Sequence, residues 1–170
     1  MTTTVSAPTT RTYDSTRVYQ DGIVAGILGA LAVALWFLIF DSLRGQPLYT
    51  PSVLGTALFG RGASLAPLES TPVSLDMVLM FTWVHGLVFA GLGGIAARLL
   101  AVAERSPHVG FGIILLFVIF EAGFTMAAYL LAAPLLHALT WPAVVIANLL
   151  AAAVMAAYLW WRHPLLHVEP

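Results

Sequence analysis

The chain has 170 residues, 60% of them apolar and 9% charged, with a formal net charge of −1. Soluble domains carry about 25% charged residues, so this composition describes an integral membrane protein with room for four spans and little left for a soluble catalytic domain. Cysteine and lysine are absent and all seven cationic residues are arginine, which excludes disulfides, thiolate metal sites and cysteine nucleophiles and leaves no basic patch for nucleic acid.

Residues 1–20 are rich in threonine and serine and read as a polar tail. The first apolar run starts at Ile23 and is long enough to span, unlike a secretory signal, so the N-terminus is expected to be retained. Span 1 is predicted over 22–40, between Asp21 and Asp41. The connection that follows carries Asp41 and Arg44 at its start, a pair that could guide an ion or simply mark the helix end at headgroup level. Further on, Thr50 can cap, Pro51 can open and Gly60 can close a short helix near 51–60. Its Val53, Leu54, Leu58 and Phe59 place it on the membrane surface or over the bundle mouth. Span 2 is predicted over 73–97 behind the N-cap and N1 pair Thr71-Pro72, span 3 over 110–133 ended by Pro134, and span 4 over 141–161 with Pro142 in its first turn. Residues 163–170, with His163 and His167, form a short solvated tail.

Each run matches the roughly 20 residues that cross about 30 Å of hydrocarbon. The predicted fold class is all-α, a polytopic membrane domain over 21–162 with four transmembrane helices in an antiparallel bundle. Arg11, Arg17, Arg98, Arg105 and Arg162 fall on one side and Arg44 and Arg61 on the other, which puts both termini in the cytoplasm. A multi-pass protein of a bacterial inner membrane is the expected setting.

Glu121 is the acid of span 3, and a charge at the centre of a membrane helix costs about 2.5–3.5 kcal/mol, so it must face protein or a wet cavity. If spans 2 and 3 form a hairpin centred near Ala103, His85 lies eighteen residues before the centre and Glu121 eighteen after, at one depth. Thr82 and Thr125 lie one turn outward, and Asn148 of span 4 falls near the same layer. Such a pair could fix helix register, or handle a proton or cation. A porphyrin or metal at His85 is a third reading, limited by the lack of further donors at that level.

Small residues offer packing edges: Gly22, Gly26 and Gly29 on span 1, Gly86, Ala90 and Gly94 on span 2, Gly123 and Ala127 on span 3, Ala147 and Ala151 on span 4. These edges exceed what one bundle needs, which points to an accessory or assembly subunit, embedded in the lipid bilayer and docked on a membrane-protein partner or on its own copy. A proton-coupled carrier built on His85 and Glu121 is the alternative. No catalytic triad, phosphate loop or carboxylate pair is legible, so no enzyme is expected.

Overall fold

The computed structural model describes residues 15–60, 72–103 and 141–162. They form four helices: α1 (Ser15–Leu43), α2 (Tyr49–Phe59), α3 (Leu75–Ala103) and α4 (Trp141–Arg162), with no strand among the described residues. Three of these, α1, α3 and α4, are long and apolar enough to cross a membrane. The chain is a membrane protein. Span 3, predicted over 110–133, lies outside the described residues.

α1 is the hub. α3 and α4 both pack on it, and α2 packs mainly on α3. One stripe of α1 serves both neighbours, because positions 22, 26, 29, 33 and 36 recur at three- and four-residue steps and share a face. Its lower half meets α3. A Cβ on Gly22 would lie 2.5 Å from the Gly93 carbonyl oxygen, and one on Gly26 would lie 2.6 Å from the Phe89 carbonyl carbon and 2.9 Å from Ala90 Cα. In the reverse direction a Cβ on Gly93 would lie 2.6 Å from the Gly26 nitrogen. The backbones touch, which is what small residues allow between membrane helices. The upper half of the stripe meets α4. A Cβ on Gly29 would strike Met155, Val33 packs with Ala147 and Ala151, and the Trp36 indole Nε1 donates to the Ala143 carbonyl at 2.9 Å. At the opposite end Arg162 donates to Asp21 Oδ1 from Nε and Nη2, at 2.9 and 2.8 Å. On both seams residue numbers run in opposite order, Gly22 with Gly93 and Gly26 with Phe89, Asp21 with Arg162 and Trp36 with Ala143.

Several boundaries differ from those expected. α1 begins at Ser15, so the end of the expected polar tail is helical; Val18 is buried with Ala97, Ala101 and Leu159, and that burial carries the helix past the apolar run. α3 continues beyond 97 to Ala103 for the same reason, since Ala97, Ala101 and Ala103 are all buried. α3 also starts at Leu75, after Pro72, with Ser74 accepting the Val78 amide. Asp76 in its first turn complements the helix dipole. Of the stripe expected on span 2, Ala90 and Gly94 lie at the seam, their Cα atoms 2.9 and 2.7 Å from a Cβ on Gly26 and on Gly22, and Gly93 joins them; among the described residues nothing lies within 4 Å of a Cβ on Gly86.

Gly93→Leu should therefore force α1 and α3 apart and cost about 1–3 kcal/mol or more, whereas Gly86→Leu should leave the isolated chain within about 0.5 kcal/mol of wild type. Thermal unfolding of the purified chain in mild detergent, followed by circular dichroism, checks the contrast; equal effects would contradict it.

Candidate functional site

His85 lies on the inner side of α3, between Phe81 and Phe89. The four-residue spacing sets the three rings in a ladder along one helix face. Ring centroids are 5.6 Å apart for Phe81 and His85, at 26°, and 4.6 Å for His85 and Phe89, at 45°. The Ala30 carbonyl of α1 accepts a hydrogen bond from the imidazole. Nε2 is buried and has no hydrogen-bond partner among the described residues. Donation to Ala30 therefore comes from Nδ1, and a neutral imidazole that donates there keeps an acceptor lone pair at Nε2. Leaving it unmet costs about 1–3 kcal/mol.

The polar layer expected around His85 is not assembled by the described residues. Thr82 is exposed and its hydroxyl donates to the Val78 carbonyl of its own helix at 2.7 Å. Asn148 is exposed on α4. Glu121, Thr125, Gly123 and Ala127 lie outside the described residues. The depth count that sets Glu121 opposite His85 centres its turn near Ala103, the last residue of α3, and the chain beyond it lies outside the described residues. A porphyrin at His85 would need open space against Nε2, and that atom is buried. Among the described residues no three histidine, aspartate or glutamate side chains gather, so a metal at His85 would draw its other ligands from elsewhere.

At the other end of the bundle Asp41 has a definite task. Helix α1 ends in a Schellman turn: Gln46 N–H donates to the Asp41 carbonyl at 2.9 Å and Gly45 N–H to Ser42 at 3.0 Å, with Gly45 at φ 74°. Leu48 then takes φ 66° and opens α2 without a side-chain cap of its own. Asp41 supplies the cap from the preceding helix. Its carboxylate, in a residue only 2% exposed, accepts the Thr50 amide at 2.7 Å and the Thr50 hydroxyl at 2.8 Å. Thr50 is thus the capped residue inside α2, not the cap. Gly60 closes α2, donating to Thr56 at 2.8 Å. Arg44 stands over the Phe40 ring, 5.4 Å from its centroid.

α2 passes the connection on. The Ser52 hydroxyl, buried, accepts the Ser74 amide at 2.9 Å where α3 begins, and Gly55 lets α2 lie against the Met77 backbone. The outer helix is packed against the start of α3. No sequence signal announces the Ser52 contact, which joins residues 22 apart.

Comparison with known proteins gives no lead: no protein-family model, curated protein or solved structure matches the chain.

Asp41→Ala leaves the Thr50 amide and hydroxyl unpaired and should cost about 1–3 kcal/mol. Asp41→Asn, which keeps one acceptor oxygen, should cost less. Unfolding midpoints together with limited proteolysis across residues 41–60 report both, and an unchanged Asp41→Ala protein would remove the capping role.

Proposed function

We propose that this chain is a small assembly subunit of the membrane, docked on a larger membrane protein through the face of α3 that carries Leu79, Trp83, Gly86 and Leu87. The observation that supports it is a glycine that no described residue uses. Glycine costs a helix about 1 kcal/mol relative to alanine. Gly22, Gly26 and Gly93 recover that by close backbone approach, but among the described residues a Cβ on Gly86 would meet nothing within 4 Å. Around it Trp83 is 71% exposed, Leu79 68% and Leu87 56%. A face meant only for acyl chains has no need of such a notch, whereas a partner helix uses it to come close.

The reading extends to four spans with both termini cytoplasmic in a bacterial inner membrane. It assigns 110–133 as the remaining span, with Arg17, Arg98 and Arg162 at the cytoplasmic end and Arg44 at the other. His85 then serves register. The reading takes the hairpin turn beyond the end of α3, at about residues 106–107. At 1.5 Å per residue this shifts Glu121 inward of His85 by about 10 Å and brings Thr125 and Tyr129 near its level instead. A hydroxyl is the donor that a buried Nε2 lone pair accepts, and such contacts in membranes average about 0.6 kcal/mol. On this placement His85 and Glu121 do not share a depth, which disfavours the proton-carrier reading.

Purification of the tagged chain in mild detergent should yield a stoichiometric membrane-protein partner, and Gly86→Ile should lose that partner while the chain remains helical and monodisperse. A partner-free wild-type chain would count against docking, and misfolding of Gly86→Ile would assign the notch to a helix of the same chain. In reconstituted vesicles Glu121→Gln should leave ion or proton flux unchanged; loss of a pH-driven uptake would instead establish the carrier.

A further inference from the structure

At the arginine-bearing end of the bundle, on the flank of the α1–α3 seam, a groove of about 350 Å³ opens among Tyr19, Ile23, Ala90, Gly91, Gly94 and Arg98. It exists because α3 lacks side chains at Gly91 and Gly94: among the described residues nothing lies within 4 Å of a Cβ on Gly91. Its length follows from the helix. Ala90 to Arg98 is eight residues, about 12 Å of rise, most of the roughly 15 Å that one leaflet contributes to a hydrocarbon core of about 30 Å. The walls are apolar, and the polar groups, the Tyr19 hydroxyl and the Arg98 guanidinium, belong to the residues at the end of the seam nearest the interface. Arg98 is exposed and no described residue pairs with it. Asp21, an acid close by on α1, is engaged by Arg162. The groove is therefore apolar along its length and positive at its mouth.

We propose that this groove holds one acyl chain of an anionic glycerophospholipid from the arginine-side leaflet, with its phosphate at Arg98 and Tyr19. The match is one of charge and of length. An acyl chain is narrow enough to lie on the Gly91–Gly94 floor, whereas a helix about 10 Å across is not. A basic pocket between membrane helices at the interface is a recurring way to hold an acidic headgroup. The groove continues the Trp83–Gly86 face of α3 toward the arginine-bearing end, and the lipid proposal does not rest on a protein docking there.

The test is native mass spectrometry and thermal unfolding of the full chain in detergent, with phosphatidylglycerol or phosphatidylcholine added. Wild type should retain phosphatidylglycerol as a one-to-one adduct and be stabilised by it more than by phosphatidylcholine. Arg98→Gln should reduce that preference by about fivefold, the effect of one arginine at an anionic surface. Gly91→Leu fills the groove without touching the α1–α3 seam and should abolish the adduct. Should Gly91→Leu prove unstable, Gly91→Ala should still weaken retention of the lipid. Equal stabilisation by both lipids overturns the proposal. So does a preference that survives Arg98→Gln, or an adduct that survives groove filling, since headgroup attraction without a seated chain would explain the latter.

Discussion

Backbone contact between α1 and α3 is the constraint from which the rest of this structure follows. Lipid tails are as apolar as leucine, so helices in a bilayer gain little from hiding apolar side chains from one another; dispersion and close approach must hold them. Gly22 and Gly26 meet Gly93 and the Phe89–Ala90 backbone at separations that no Cβ would tolerate. Once that seam is fixed, the rotation of α1 is fixed with it. The continuation of the same stripe, Gly29, Val33 and Trp36, is then turned toward α4.

The polar interactions secure what the glycines bring together, and they sit at the ends. The Asp21–Arg162 pair ties the start of α1 to the end of α4, where water is near and an ion pair is inexpensive to maintain. At the far end Asp41 caps α2 and Ser52 holds the first residues of α3, so a carboxylate and a hydroxyl carry the chain through a corner that includes a non-glycine residue at positive φ. His85 is the exception inside the bundle. It spends one nitrogen on Ala30 and leaves the other buried and unmet among the described residues. A group of that kind invites a donor from a neighbouring helix.

Apolar run length alone revealed three of the membrane helices, because length and hydropathy are local properties. The short helix after Pro51 was also legible, from Pro51 and Gly60. What remained hidden depended on partners. Val18 looks like part of a polar tail until its burial against Ala97 and Ala101 is known. Gly93 and Gly94 both fall between Ala90 and Ala97 at helical spacing, and only the crossing of α1 tells that Gly93 joins Gly94 at the seam. Asp41 reads as a charge at a membrane surface, since nothing in the sequence tells that the connection over 44–48 will return Thr50 to its carboxylate. His85 stood out as polar, yet its partner in the described structure is a backbone carbonyl, which leaves no trace in a sequence. The depth match with Glu121 rests on where the chain turns after Ala103, and both that turn and Glu121 lie outside the described residues.

The central claim is that α1 is the helix on which both α3 and α4 are built, and the absence of cysteine makes it directly testable. Cysteine pairs replacing Val18 with Ala97, and Val33 with Ala147, should each form a disulfide within one chain in native membranes under mild oxidation, because each pair follows the register of its seam and shares a buried cluster between α1 and its neighbour. A control pair replacing the exposed residues Leu31 and Leu92 should not cross-link. Failure of both buried pairs, or cross-links that form only between chains, would contradict the account.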